Sequence, residues 1–296
     1  MDIDKLRSFL VLAEVKNFTK ASEQLYISQP ALTKQIQSLE MELGVPLFNR
    51  INKKTFLTVE GTYLVNYAYQ TIASYNNAIE YIKQIQNMEE GTLNFGATNF
   101  IGVYLMPKVI ARFQKMYPNI TIDMRIDSSI DVMDKLKLNQ LEFAFISDYI
   151  HHEDEKYETI NFKKDNLKLI VGRDHKLFNR KKCTLDEIKN DLYITKDYNS
   201  SQTKFIKKIL DKENFKFQKE LFISNQEAIK ESVIYNMGIS IISTSAVERE
   251  VDSGYLNLVD IEGVDITRDI HCVHLKKVIL SPAAKEFLRM LEFQVV

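Results

Sequence analysis

Residues 28–44 read Ser28-Gln29-Pro30-Ala31-Leu32-Thr33-Lys34-Gln35-Ile36-Gln37-Ser38-Leu39-Glu40-Met41-Glu42-Leu43-Gly44, a single helix with its start and stop written in. Ser28 can cap the first free amides, Pro30 stands in the opening turn where its missing N–H costs nothing, and Ile27 can staple onto Leu32. Gly44 supplies the left-handed residue that ends the helix, and Pro46 forbids continuation. Leu32, Ile36, Leu39 and Leu43 recur at helical spacing, which predicts one inward-packing face. The opposite face carries Gln29, Thr33 and Gln37. Short hydroxyl and amide side chains in that position are what a recognition helix offers to base edges in a major groove.

The flanking sequence extends this reading. Leu6, Phe9, Leu10 and Ala13 predict a first amphipathic helix, after which Asn17 turns the chain and Thr19 caps a short helix through Leu25. Only Tyr26 and Ile27 separate that helix from Ser28, so the two must cross steeply, with small Ala21 allowing close approach, as in a helix-turn-helix unit. A small helical bundle with a solvated polar face shares much of this pattern. Residues 45–58 then give two short extended runs around an Asn-Lys-Lys turn, a hairpin wing. Arg50, Lys53 and Lys54 would lie beside DNA phosphates, holding register while carrying no sequence information; the alternative for Lys53 and Lys54 is an ordinary solvated turn.

The run Phe18-Thr19-Lys20-Ala21-Ser22-Glu23-Gln24-Leu25, the run Ser28-Gln29-Pro30-Ala31-Leu32-Thr33, and Leu43-Gly44-Val45-Pro46-Leu47-Phe48 with Arg50 and Leu57-Thr58-Val59-Glu60-Gly61 together resemble the winged helix of LysR-type transcriptional regulators. The resemblance is dense over the first sixty residues and looser beyond, where Asn236-Met237-Gly238-Ile239-Ser240 is one match. Ser22 departs from the family's usual Ala and is nearly as small. The resemblance implies base contacts from Gln29, Pro30, Thr33 and Lys34, to which the helix face adds Gln37. It also implies double-stranded DNA as a partner, a dimer through a linker helix, assembly to a tetramer, a small-molecule effector and contact with RNA polymerase.

Composition agrees with a globular chain: 296 residues, 45% hydrophobic and 27% charged, enough for two or three domains. Net charge is −1, and residues 1–60 hold eight Lys or Arg against seven Asp or Glu, so DNA affinity must come from local placement and dimerisation. Two cysteines 89 positions apart make no disulfide framework, the N-terminus shows no signal core, and no apolar run has membrane-spanning length. The expectation is a cytoplasmic protein without a membrane segment.

From Val59 to about Met88, apolar or small residues recur at Leu64, Ala68, Thr71 or Ile72, Tyr75, Ile79, Ile82 and Ile85. Thirty helical residues span about 45 Å, and so narrow a stripe is naturally covered by a partner helix, or else by the chain's own second domain. Glu89-Glu90-Gly91 ends this helix. Strands and helices then alternate: Thr92–Ala97, Ile120–Ile126 and Leu141–Ile146 as strands around helices at Ile101–Tyr117 and Ile130–Leu138, and a second such series from Leu167. The predicted organisation is a winged helix-turn-helix over residues 1–58, a linker helix over 59–90, and a two-lobed α/β domain over 91–296. The resemblance implies a periplasmic-binding-protein-like arrangement for that domain, with lobe I at 91–163 and 268–296 and lobe II at 164–267.

Ligands of such sheets bind at the carboxyl ends of strands. Thr98, Asn99 and Phe100 in lobe I and Thr195, Ser200 and Ser201 in lobe II fall there, with Ser147 and Asn225 at corresponding ends, giving a predicted effector cleft lined by helix starts. No cofactor beyond the effector is expected. Catalysis is set aside: Gly238-Ile239-Ser240 lacks the second Gly of a nucleophile elbow and precedes a strand, and no phosphate loop or dinucleotide fingerprint is present. His151-His152 beside Glu153, Asp154 and Glu155, and His271-Cys272-Val273-His274, contain ligand types, but alternation along a strand lets at most two of the latter converge. Two other functions remain open on the sequence: thiol sensing, for which Cys183 has basic neighbours, and a two-lobed small-molecule enzyme with an added helical domain.

Overall fold

Three polar side chains start the first three helices by the same device. In the computed structural model, which describes residues 2–51, 54–86, 90–147 and 155–292, Asp2, Asn17 and Ser28 cap α1 (Ile3–Val15), α2 (Phe18–Gln24) and α3 (Gln29–Leu43). Each accepts a hydrogen bond from an amide in the following turn, at 3.2, 3.0 and 3.3 Å, which satisfies a donor the helix cannot. Asn17 therefore does the work predicted for Thr19, which lies inside α2 and donates its hydroxyl to Gln29 Oε1 at 3.1 Å. Gly44 ends α3 with φ 73°, as its lack of a Cβ allows. Leu32, Ile36 and Leu39 pack against Leu6, Phe9, Leu12 and Ala21. Leu43 is exposed instead, because the chain turns at Gly44 and Leu47 fills that end of the core.

β1 (Phe48–Ile51) and β2 (Lys54–Leu57) form the antiparallel wing. Glu40 ties it to α3 by accepting from the amides of Leu47 and Phe48 at 2.8 and 3.3 Å. Asn52 and Lys53, and the side chains of Arg50 and Lys54, lie outside the described residues.

Thr58 joins the wing to α4 (Val59–Gln86): its hydroxyl donates to the Pro46 carbonyl and accepts from the Gly61 amide, both at 2.9 Å. A Cβ on Gly61 would stand 2.3 Å from the Leu47 carbonyl oxygen, so the helix can approach the wing this closely only with glycine there. Leu64, Ala68 and Ile72 of the predicted stripe pack into the winged-helix core, while Tyr75, Ile79, Ile82 and Ile85 are exposed along the second half. A different face meets lobe I. Gln70, Asn77 and Gln84 donate side-chain amides to the carbonyls of Lys137, Asn139 and Thr92 at 3.1, 3.2 and 3.0 Å. Gln84 is buried and also accepts from the Ala283 amide at 3.1 Å. No helix among the described residues is long and apolar enough to cross a membrane.

The remaining chain forms β3 (Gly91–Thr98), a π-helical turn at Ile101–Leu105 running into α5 (Met106–Met116), β4 (Ile120–Asp127), α6 (Ser129–Lys137) and β5 (Phe143–Ser147). There follow β6 (Tyr157–Gly172), β7 (Lys182–Cys183), α7 (Leu185–Ile188), β8 (Leu192–Thr195), α8 (Ser201–Lys212) and β9 (Lys219–Phe222). The last elements are α9 (Gln226–Ile234), β10 (Ser240–Ser243), α10 (Glu248–Asp252), β11 (Leu256–Ile261), β12 (Thr267–Leu275) and α11 (Pro282–Glu292).

β4, β3 and β5 are parallel neighbours, as the alternating pattern predicts. β6 was legible only over Leu167–Val171, and it is antiparallel to its partners rather than part of a second parallel series. Its first ten residues pair with β12 beside lobe I, and from Leu167 onward it pairs with β10 and β11 in lobe II. The first crossing thus falls at Asn166–Leu167, beyond the predicted Lys163, and the second at Ile266–Thr267, where the Leu167 amide donates to the Ile266 carbonyl at 2.9 Å. The polar run Lys163-Lys164-Asp165-Asn166 leads into the first crossing. It continues as strand because Arg268 on β12 neutralises the buried Asp165.

Gly61→Ala is expected to destabilise the wing–α4 junction by about 1–3 kcal/mol, the usual cost of overpacking. Urea denaturation of the variant against the parent measures it.

Candidate functional site

On the winged helix, Gln29, Pro30, Lys34 and Gln37 are exposed on α3, and Thr33 is half-buried. Gln35 points elsewhere, accepting from the Ser8 hydroxyl at 2.5 Å, so it belongs to the α1–α3 contact. Tyr26, read in the sequence only as part of the short link, stands between α2 and α3 with φ 55° and is 96% exposed. A large aromatic residue held in the left-handed region at the mouth of the helix pair is uncommon, and nothing among the described residues covers it.

Between the lobes lies a cleft of about 480 Å³. Thr98, Asn99 and Phe100 line it from the end of β3, Ser147 from the end of β5, and Ser200 and Ser201 from the start of α8. Two predicted members lie elsewhere. Thr195 is buried on β8, where its hydroxyl meets that of Thr203 at 3.2 Å, and Asn225 spends its side chain capping α9 by accepting from the Ala228 amide at 3.1 Å. Neighbouring Ser224 lines the cleft instead.

The lobe I surface facing α8 is the start of α6, which sequence reading passed over in favour of Thr98. Ser128 caps α6 by accepting from the Asp131 amide at 3.2 Å, and Ser200 caps α8 by accepting from the Thr203 amide at 3.1 Å. Directly after these caps, the Ser201 hydroxyl donates to that of Ser129 at 3.0 Å, so the two lobes touch through their helix starts. The signal was present as Ser128-Ser129 before an amphipathic run, a cap pattern like that at Ser200-Ser201.

Two cations line the cleft that sequence reading also missed, Lys196 and Arg268. Arg268 is buried at the strand crossing, its Nε 2.8 Å from Asp165 Oδ2, while the Ser243 hydroxyl donates to Asp165 Oδ1 at 2.5 Å. Its guanidinium stands 5.3 Å from the ring centroid of Phe100, which is both a wall of the cleft and a member of the core. Lys196 is half-buried and, among the described residues, forms no ion pair. Burial, then repulsion from Arg268, pushes its ammonium pKa below the usual lysine value.

A second inter-lobe contact runs from Phe100. Its ring neighbours Tyr104, at 5.9 Å between centroids, and the Tyr104 hydroxyl donates to Glu227 on α9. Lys230 lies 5.1 Å over the Tyr104 ring and is held by Glu227 and Glu250 at 2.9 and 2.6 Å. Burial, with the hydrogen bond to Glu227, pushes the Tyr104 pKa up to about 12, so the phenol keeps the proton it donates.

Both cysteines are buried and free. Burial pushes the Cys183 thiol up to about 11, outweighing the nearby Arg180, and raises Cys272 further. The basic neighbours of Cys183 therefore do not make the accessible thiolate that sensing requires. Ser240 is buried on β10, away from any reacting surface. His151, His152, Glu153 and Asp154 lie outside the described residues, and among the described residues no three metal-ligating side chains converge.

A winged helix carried on a helix docked to a two-lobed cleft defines a DNA-binding protein with a ligand-binding module. Comparison with known proteins narrows the class. Residues 3–62 match the bacterial regulatory helix-turn-helix proteins of the lysR family, and residues 86–294 match the LysR substrate binding domain. The chain belongs to the LysR family and is a DNA-binding transcriptional regulator with an effector-binding domain. It is 34% identical to a probable RuBisCO transcriptional regulator of Thalassiosira pseudonana over 92% of this chain and 90% of that one. A protein of the same description from Nostoc sp. is 33% identical over 96% of this chain and 86% of that one. Among solved structures, full-length CbnR in complex with its target DNA shares the fold with a TM-score of 0.76 at 18% identity, each chain covered entirely.

Two measurements check the chemistry of the cleft. Arg268→Ala strands a buried carboxylate and is expected to cost about 3–5 kcal/mol in urea denaturation, whereas Lys196→Met, which breaks no ion pair, stays within about 1 kcal/mol of the parent. Native protein is expected to react with a thiol reagent at neutral pH far more slowly than denatured protein, and peroxide is expected to leave its DNA footprint unchanged.

Proposed function

We propose that this regulator reads DNA bases through Gln29, Pro30, Thr33, Lys34 and Gln37, grips phosphates through Arg50, Lys53 and Lys54, and responds to a small-molecule effector bound between its lobes. The exposed stripe Tyr75, Ile79, Ile82 and Ile85 pairs with a second copy, and two such dimers form the tetramer that spans an operator and contacts RNA polymerase. The chain acts by binding, in the cytoplasm, without catalytic turnover and without a resident cofactor.

The observation that carries the effector reading is the contact between Ser129 and Ser201, since two capped helix starts from different lobes meet inside one cleft. A ligand placed there touches both lobes and so favours one relative orientation of them. α4 is hydrogen-bonded to lobe I and packed into the winged helix, so reorientation of the lobes within an oligomer alters the spacing of the DNA-binding units. Differential affinity for two arrangements is all that coupling requires.

Gln29→Ala is expected to cost about 1–3 kcal/mol on the cognate site and little on random DNA, while Lys53→Ala weakens both alike and flattens the salt dependence. Equal losses on both DNAs for Gln29→Ala would remove it from the base readers. Ile79→Lys is expected to convert dimer to monomer by light scattering, and a parent protein that stays monomeric at micromolar concentration would contradict the seam.

A further inference from the structure

The side chains of the cleft select among ligand classes, an inference that rests on the cleft being the effector site. Of sixteen lining residues, two are apolar, Phe100 and Ile130. Seven carry hydroxyl groups and three carry amides. An aromatic or aliphatic body would strip water from these groups without replacing its hydrogen bonds, whereas a ligand with several hydroxyl groups replaces them one for one. Hydroxyl and amide groups thus outnumber apolar side chains in the lining, which favours a ligand that can hydrogen-bond to them.

The charges narrow the class further. Arg268 is matched by Asp165 behind it, and Asp127 is bonded to Lys135. Asp197 is exposed, and its carboxylate accepts from the Asn199 amide at 3.1 Å, closing its own turn. Lys196 alone among these groups is half-buried with no ion-pair partner among the described residues. An ammonium taken partly out of water and set near a second cation is stabilised most by an anion arriving with the ligand. The starts of α6 and α8, nine and twelve residues long, add unpaired amides of the same polarity.

We propose that the cleft takes a small polyhydroxylated oxyanion, a carboxylate or a phosphate ester, with its charged group on Lys196 and its hydroxyl groups on Ser129, Ser201, Ser147 and Ser224. Lys196 thereby sets the ligand class, while Arg268 holds the strand crossing beneath it.

Thermal unfolding and calorimetric titration of the full chain with four probes, ribose 5-phosphate, gluconate, ribose and benzoate, test this. The expected result is stabilisation by ribose 5-phosphate or gluconate, with the stronger of the two separating phosphate from carboxylate, and none by ribose or benzoate. Lys196→Met is expected to weaken the effective anion at least about tenfold, the weight of one charge-assisted hydrogen bond, while unliganded DNA affinity is unchanged. Ser129→Trp, with Ser201→Trp as a second variant should the first misfold, fills the cleft and is expected to abolish the response. Benzoate or ribose binding that Ser129→Trp removes would overturn the ligand class and keep the cleft as the site. Anion binding that survives both tryptophan variants would overturn the class and the site together. No response to any of the four probes, or an anion response indifferent to Lys196→Met, overturns the inference.

Discussion

The ion pair between Asp165 and Arg268 is the constraint on which the two-lobed half of the molecule depends. Two adjacent strands, β6 and β12, carry the chain from one lobe to the other, and both must pass through the interior where they cross. A charged pair there is costly to desolvate and is tolerated because its geometry is close and Ser243 satisfies a further carboxylate lone pair. Such a pair stabilises little in net terms, yet removing either member leaves a bare charge in the core. It therefore fixes register more than it adds stability: one pairing of β6 with β12 brings the two charges together, and a one-residue slip would leave them on opposite faces of the sheet.

Everything at the cleft is arranged around that crossing. Phe100 lies against the guanidinium on one side and Tyr104 on the other, so the floor of the cleft and the Tyr104–Glu227–Lys230 contact share an aromatic ring. The π-helical turn that begins at Ile101 sits between these two contacts. Such turns widen a helix locally at a cost in hydrogen-bond geometry, and here the widening falls where the first lobe must meet both the ligand space and α9. The lobes are thus joined at the crossing strands, at the serine pair and at the tyrosine, three contacts of different chemistry within one interface.

The winged helix was almost fully legible because its signals are local: caps, a closing glycine and a four-residue apolar period act within a few positions of one another. Thr19 and Leu43 were misjudged where two caps competed and where a loop residue, Leu47, took over a core position. The parallel half of lobe I was legible for the same reason, as each strand is followed by its own helix. β6 was not, since its first ten residues carry apolar side chains only at Tyr157, Ile160 and Phe162 and end in Lys163-Lys164-Asp165-Asn166, and their pairing with β12 joins positions a hundred residues apart. In the cleft, the serines at helix starts could be read, while Lys196 and Arg268 could not. A lysine after a strand and an arginine inside one carry no periodic signal, and their meaning appears only when the crossing brings residues 165, 196 and 268 together. Asn225 failed for a related reason: a cap residue whose side chain is spent on its own helix has nothing left to offer a ligand.

Gln70, Asn77 and Gln84 are spaced seven apart on α4, so they drift by only about 20° per repeat and form one row along the helix. Each donates an uncharged amide to a main-chain carbonyl of lobe I. Neutral contacts of this kind are almost untouched by dissolved ions, whereas the grip of a winged helix on phosphates falls steeply as ions compete for the backbone. Raising ionic strength therefore loosens the protein from DNA while the joint between α4 and lobe I keeps its geometry, so the strut that carries lobe orientation to the winged helix stays intact under conditions that weaken the hold on the operator.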